Sequence, residues 1–152
     1  MHRGSIVVPS PLGPLTLFAD DGKIVALEWG KGSNDPNPPQ VLKDAAAQLA
    51  DYFDGKRRDF DLPLAPHGTP FQIKVWDAMR RIPCGETRSY GDIAREIGCG
   101  AARPIGGACG KNPIPVIIPC HRILGTGCFG GYSGNGGLDT KRTLLRLEGV
   151  LA

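Results

Sequence analysis

Three short stretches near the start of the chain have the apolar, β-branched and aromatic composition of β-strands. They cover residues 5–8, 15–19 and 24–29. Residues 9–13 hold two prolines and a glycine, and Asp20-Asp21-Gly22 follows the second stretch, which is the composition of tight turns. The pattern therefore predicts a small three-stranded sheet.

The next segment has the pattern of an amphipathic helix over Gln40–Phe53. Its apolar residues recur at the three- and four-residue spacing that places side chains on one helical face. Gly55 ends this pattern, and the tract 30–39, rich in Gly, Asn and Pro, is typical of a loop. The apolar positions of the helix are Leu42, Ala45, Leu49, Tyr52 and Phe53.

A break follows at residues 62–70, which contain three prolines and one glycine. Such a tract is typical of a linker between compact units. We therefore predict an α+β chain of two domains. Residues 1–67 would form a support domain of sheet and helix, and residues 68–152 a mainly helical domain.

The second domain has an apolar helical stripe formed by Phe71, Val75, Met79 and Ile82. Ser89 is placed as the N-cap of a helix over residues 90–97, and Gly98-Cys99-Gly100 separates it from a helix over residues 101–110. Two short helices joined by a glycine-containing turn resemble a helix-turn-helix. Residues 112–119 are expected to be extended, and Leu138–Leu147 to form a final helix with Leu138, Leu144, Leu145 and Leu147 available for the core.

The helix over residues 101–110 contains three glycines, each costing about 1 kcal/mol in a helix interior. Small residues suit either tight packing on another element or close approach to a narrow DNA groove. Arg103 is its single long side chain, whereas a helix that reads the major groove offers several polar side chains. The pattern favours the minor groove, where binding depends little on sequence.

Charge is distributed unevenly between the predicted domains. The chain carries a net +3, but residues 1–67 sum to −2 and residues 68–152 to +5. A basic surface suits a polyanionic partner such as DNA, although an ordinary solvated face would show the same modest excess.

The chain has 152 residues, 41% of them hydrophobic, and neither a bilayer-spanning run nor a secretory leader is evident. Five cysteines, none among the first 83 residues, argue against a disulfide framework and for a reducing, cytoplasmic compartment. Their spacing predicts no metal site, and we expect no cofactor.

Cys120 and His121 are adjacent and follow the apolar run Ile114-Pro115-Val116-Ile117-Ile118. A thiol is a weak nucleophile until it ionises, and a histidine can serve as its base when a third group orients the ring. A core cysteine beside a chance histidine would give the same dipeptide. The surrounding residues are therefore needed to interpret the pair.

The pair and its surroundings resemble the O6-alkylguanine-DNA alkyltransferases, also called methylated-DNA–protein-cysteine methyltransferases. The matching order and spacing extend roughly from Thr69 to Gly149. The strings that carry the resemblance are residues 71–76, 82–87, 89–94, 102–106, 112–113, 119–122 and 131–133, with Lys141, Leu144, Leu145, Glu148 and Gly149.

This resemblance implies a ribonuclease H-like first domain and a winged-helix-like second domain that repairs duplex DNA. Cys120 would accept the alkyl group of O6-alkylguanine, and of O4-alkylthymine, in a single irreversible turnover. His121 would take the thiol proton, and Glu148 would hold the other ring nitrogen. The protein would act as a monomer.

The resemblance also implies roles for residues that contact the base. Tyr132 would donate to the purine and Ser133 would lie on the O6 side, in a loop about two residues longer than the shortest family form. The backbone of Cys120 and Ile123 would read the exocyclic amine. Asn112, near the substrate, would brace the turn before the acceptor.

Flipping of the base would depend on the helix-turn-helix. Arg103 would fill the gap left by the flipped guanine, and Tyr90 would crowd the 3′ phosphate and promote rotation. The remaining expected DNA contacts are Ala102, Gly106, Thr87 and Ser89. Arg122 is expected to be structural, tied to the loop or the neighbouring domain.

Three alternatives remain open at this stage. A lesion-binding module would lack the acceptor cysteine, which is present here. A cysteine hydrolase would place its histidine far from the nucleophile in sequence, and the only other histidines are His2 and His67. A transcription regulator would need base-reading side chains where this chain has glycines.

Overall fold

The computed structural model describes residues 3–125 and 137–151. The chain divides into two compact units, Met1–His67 and Gly68–Ala152. Cys128, Tyr132 and Ser133 lie outside the described residues. Within the described ranges, none of the helices is both long and apolar enough to span a bilayer.

The first unit is an antiparallel sheet of three strands with one helix. Strands β1 (Arg3–Val8), β2 (Leu15–Asp20) and β3 (Lys23–Trp29) pair in sequence order, with an irregular register between Phe18 and Ala19. Helix α1 spans Gln40–Phe53, the range that the periodicity predicts. Its buried face and that of the sheet form the core, which contains Leu15, Leu17, Ala19, Leu27, Leu42, Ala45, Leu49 and Tyr52.

The second unit begins with helix α2 (Pro70–Arg80). Thr69 caps it: the hydroxyl accepts from the Gln72 N–H and the Gln72 side chain accepts from the Thr69 N–H, which satisfies two donors at the helix start. Trp76 is almost fully buried, and its indole N–H donates to the Ala108 carbonyl at 2.9 Å. This bond ties α2 to the helix that contains Ala108.

Helices α3 (Tyr90–Glu96) and α4 (Arg103–Gly110) pack together as the predicted helix-turn-helix. Ser89 is the N-cap of α3, as predicted, and its hydroxyl accepts from the Asp92 N–H at 2.9 Å. Helix α4 starts two residues later than expected because Pro104, which lacks an N–H, is tolerated only in a first turn.

The segment before the Cys-His pair is buried as expected, but it is not extended. Residues 113–118 form turns, with the Ile118 N–H donating to the Ile114 carbonyl at 2.8 Å and Val116 at a φ of 72°. The prolines and the left-handed Val116 prevent regular strand pairing. A 3₁₀ turn at Cys120–Arg122 follows.

Two short strands and a helix complete this unit. Strand β4 (Arg88–Ser89) pairs in parallel with β5 (Ile123–Leu124), and helix α5 spans Leu138–Leu147 as predicted. Leu144 and Leu145 are buried, but Leu138 is 39% exposed, so the expectation that it joins the core is wrong. The predicted α+β class, with a helical second half, is confirmed.

Candidate active site and DNA-binding face

Cys120 lies at the start of the 3₁₀ turn and is only 9% exposed. Its N–H donates to the Ile118 carbonyl at 2.8 Å. The Asn112 amide bonds to the same segment at two points, since Nδ2 donates to the Ile118 carbonyl at 2.8 Å and Oδ1 accepts from the Ile114 N–H at 3.0 Å. Asn112 therefore braces the turn that presents the thiol.

His121 and Glu148 form a buried pair. Their side chains are fully buried, and Nε2 of His121 lies 2.7 Å from Oε2 of Glu148. An ionised carboxylate only accepts hydrogen bonds, so Nε2 must carry the ring proton. The lone pair is then on Nδ1, which is buried and bonded to none of the described side chains or backbone groups. The pair leaves a proton acceptor at Nδ1.

Arg122 completes the pairing of Glu148. Its Nε donates to Oε1 and its Nη2 to Oε2, both at 2.9 Å, and Nη1 donates to the Ile82 carbonyl at 2.6 Å. The guanidinium thus binds the carboxylate with two parallel bonds, the strongest form of this contact. These partners are in the second unit itself, which shows that the structural role expected of Arg122 is carried out there.

The position of Glu148 explains why it needs these partners. It caps the C-terminal end of α5, where the helix dipole disfavours an anion, and it is 3% exposed. A buried carboxylate without a cation would be strongly destabilising. Arg122 supplies the cation, and His121 donates a further hydrogen bond to the carboxylate.

The pKa of His121 lies below its usual value because the ring is completely buried. Hydrogen bonding and charge attraction from Glu148 oppose this effect, while the charges of Arg122 and Lys141 add to it. The imidazole is therefore neutral at neutral pH, which is the protonation state of a base.

This lowered pKa predicts a specific loss of stability in acid. An unfolded histidine binds a proton near pH 6.5 but the folded one does so only at lower pH, so the unfolded state binds more protons in between. The free energy of unfolding should fall as pH drops through this window. Urea unfolding of the His121→Gln variant should lack this component, and the exposed His67→Gln variant should keep it. Equal pH profiles for wild type and His121→Gln would contradict the prediction.

Lys141 is a functional candidate that the sequence interpretation left without a role. It is fully buried in α5, and its Nζ donates to the Ile123 carbonyl at 2.6 Å. Its charge also lowers the pKa of His121 and of Cys109. Among the described residues of this unit the buried charged groups are thus two cations, Arg122 and Lys141, and one anion, Glu148. A positive excess of this kind favours the thiolate form over the thiol form of a cysteine that lies close to it.

Cys109 is a second thiol close to the acceptor. It is buried in α4, 3.6 Å from the Met79 sulfur, and desolvation, with the charge of Cys120, raises its pKa to about 12. At neutral pH it is therefore a protonated thiol, which is not a nucleophile. Cys109 is therefore not a competing acceptor at neutral pH.

The predicted DNA contacts lie on the helix-turn-helix. Arg103 and Gly106 are exposed on α4, and Ala102 is exposed at its N-cap. Tyr90 is half-buried at the start of α3. A Cβ built on Gly106 would lie 3.9 Å from Cε1 of Tyr90, so the aromatic ring borders the smooth part of α4. Thr87 and Ser89 are also half-buried, and the Ser89 hydroxyl is engaged as the α3 cap.

The structure brings Cys120, His121, Glu148, Asn112 and Ile123 together in one region of the second unit. His121 is hydrogen-bonded directly to Glu148, and Lys141 to the carbonyl of Ile123. Arg103 and Gly106 are exposed, and the half-buried Tyr90 borders Gly106. Tyr132 and Ser133 cannot be placed, because they lie outside the described residues.

Two family models match adjacent parts of the chain. Residues 70–150 match the DNA binding domain of 6-O-methylguanine DNA methyltransferase, and residues 5–66 match its ribonuclease-like domain. Together the two models cover most of the sequence.

Similar proteins include two methylated-DNA–protein-cysteine methyltransferases. That of Methanosarcina acetivorans is 42% identical, covering 94% of this chain and 96% of the relative. That of Mycolicibacterium paratuberculosis is 45% identical, covering 93% and 89%.

Among solved structures, the O6-methylguanine methyltransferase of Mycobacterium tuberculosis superposes with a TM-score of 0.86 and 42% identity, covering 99% of this chain and 95% of that one. A structure of the M. tuberculosis protein in complex with DNA superposes with a TM-score of 0.85 and 43% identity, covering 95% and 92%. These matches show that the chain belongs to the family of methylated-DNA–protein-cysteine methyltransferases.

Proposed function

We propose that this protein repairs O6-alkylguanine in duplex DNA by moving the alkyl group irreversibly to Cys120. The observation that carries this assignment is the buried arrangement of His121, Glu148 and Arg122 next to the cysteine. It supplies a neutral base at the residue following the thiol. The monomeric state and a cytoplasmic location are parts of the same proposal.

The proton follows a path set by the ring tautomer. Nε2 of His121 donates to Glu148, so Nδ1 accepts the proton that leaves the Cys120 thiol, through a bridging water since adjacent side chains rarely face each other. As the ring becomes positive, the carboxylate of Glu148 stabilises it. Arg122 holds that carboxylate in place.

Transfer forms a carbon–sulfur bond and breaks the bond between the alkyl carbon and O6. The electron pair of that bond goes to the guanine oxygen, which needs a hydrogen-bond donor near the ring to leave. We assign this donor to Tyr132, with Ser133 on the O6 side and the backbone of Ile123 facing the exocyclic amine. The proposal includes O4-alkylthymine as a second substrate.

Base flipping is assigned to the exposed face of α3 and α4. Arg103 would enter the stack where the guanine leaves, and Tyr90 would displace the 3′ phosphate. The exposed small residues Ala102 and Gly106 would let the start of α4 approach the minor groove, and Thr87 and Ser89 would contact the DNA backbone. The first unit, residues 1–67, serves as a support domain.

The product is a thioether, which none of the groups described here can cleave. Wild-type protein given an excess of O6-methylguanine duplex should therefore stop after one methyl group per chain. The measurements are the radiolabelled methyl bound to protein and the label lost from the DNA at the plateau, with His67→Gln as a control that should reach the same values. Loss of well over one methyl group from the DNA per chain would mean catalytic turnover and would refute the proposal.

A further inference from the structure

A polar groove lies beside the paired strands β4 and β5, outside the thiol site. Its volume is about 480 Å³, and its lining includes Thr87, Arg88 and Ser89 on one side and Leu124 and Gly125 on the other. Strand β5 directly follows the 3₁₀ turn that contains Cys120, and β4 directly precedes Tyr90. The groove is therefore joined to both the acceptor and the base-flipping face by the chain itself.

Two arginines contribute positive charge to this groove. Arg95 folds back over the start of α3. A Cβ built on Gly91 would lie 3.5 Å from the Arg95 Nη1 and 3.6 Å from the Ser89 hydroxyl, which shows that the guanidinium lies close to the helix start. Arg95 pairs with Asp92, and Arg88 with Glu86 at 3.1 Å. Both contacts are solvent-exposed, the Arg95 side chain at 74% and that of Arg88 at 38%.

Exposed ion pairs of this kind contribute little, about 0–1 kcal/mol, so either guanidinium can exchange its carboxylate for a stronger acceptor. Asp92 is held in another role, since its Oδ2 accepts from the Ser89 N–H and completes the α3 cap. The two arginines of the groove can therefore leave their carboxylates with little loss of free energy. Asp92 stays in place, because it is part of the α3 cap. Arginine is well suited to phosphate because its planar fork binds two oxygens at once.

We infer that this groove binds the phosphodiester backbone of the lesion-bearing strand on the 3′ side of the target nucleotide, through Arg88 and Arg95. The inference rests on the proposed function, which places Tyr90 at the 3′ phosphate. Ser89 and Gly91 flank Tyr90 and line the groove. At a rise of about 3.4 Å per nucleotide, the strand that passes Tyr90 reaches the groove within one or two nucleotides.

Salt dependence tests the charge contacts. For each phosphate neutralised, the logarithm of the binding constant falls with the logarithm of salt with a slope near 0.9. On an undamaged duplex, Arg88→Gln and Arg95→Gln should each reduce the slope by about 0.9. Arg146→Gln, an exposed arginine near the end of α5, is the matched control and should leave the slope unchanged. Slopes for Arg88→Gln and Arg95→Gln equal to that of the control would overturn the inference.

Neutral phosphates test the location without altering the groove. The test uses Cys120→Ser protein and an O6-methylguanine duplex with a single methylphosphonate in the lesion-bearing strand. Placed one or two phosphates to the 3′ side of the phosphate next to Tyr90, it should weaken binding severalfold. The same replacement should have little further effect once Arg88 and Arg95 are both glutamine. Equal sensitivity with and without the two arginines would also overturn it.

The two proposals fail in distinguishable ways. Methyl transfer to Cys120 with unchanged salt slopes would refute the groove and leave the repair function intact. Altered slopes without any methyl transfer would keep a backbone-binding groove and refute the repair function.

Discussion

Replacing Glu148 with glutamine should cause large losses of both stability and transfer rate. The change removes the carboxylate charge that pairs with Arg122 in a buried site. Breaking such a pair costs about 3–5 kcal/mol, because the remaining charge is buried without compensation. Transfer should slow by about 10²–10⁴-fold, because a neutral amide cannot stabilise the positive charge that His121 gains when it takes the thiol proton. Urea unfolding and single-turnover transfer measure the two effects.

The chain provides a matched control for this substitution. Arg81 and Glu96 form another arginine–glutamate pair at 2.6 Å, but their side chains are 60% and 42% exposed. Glu96→Gln should change stability by less than about 1 kcal/mol and leave transfer unchanged. Combining Glu148→Gln with Arg122→Met should restore part of the stability but none of the rate. Similar stability losses for Glu148→Gln and Glu96→Gln would disprove the role assigned to the buried pair.

Replacing Cys120 with serine should reduce the transferred alkyl from one group per chain to none, while DNA binding stays within about twofold of wild type. The reason is that the expected DNA contacts, Arg103 and Tyr90, belong to α4 and α3, whereas Cys120 supplies only the acceptor sulfur. Scintillation counting of labelled methyl and fluorescence anisotropy on a duplex measure the two properties. Cys109→Ser is the control, because its protonated thiol should not react. Residual transfer in Cys120→Ser would identify another acceptor.

Local sequence patterns predicted the helices whose apolar residues recur at regular spacing. Helices α1 and α5 begin and end at the predicted residues, because each has an apolar face of regular spacing and a glycine within two residues of one end. The cap of α3 was recognisable since Ser89 precedes Asp92 by three residues, which is a local interaction.

Contacts between residues far apart in the sequence could not be predicted from local patterns. The pairing of Arg122 with Glu148 joins positions 26 residues apart, and the β4–β5 pair contains only two residues in each strand. Neither has a local signal of its own. The turns before Cys120 depend on Val116 adopting a left-handed conformation, which is rare for a β-branched residue and is not encoded by spacing.

The buried Lys141 was predictable in part. Lys141, Leu144 and Leu145 lie on the buried face of α5, and Glu148, the C-cap residue, follows at the same helical spacing and is also buried. A charge that falls within an apolar stripe signals a buried partner. Reading the stripe as apolar residues alone missed that signal for Lys141.

The central claim is that Cys120 is the acceptor of the alkyl group. The most direct test is mass spectrometry of the intact wild-type protein, followed by peptide mapping, after reaction with an O6-methylguanine duplex. We predict a mass increase of one methyl group in place of a hydrogen, located entirely on the peptide that contains Cys120. An unmodified protein, or a methyl group on Cys109 or any other residue with Cys120 intact, would contradict the claim.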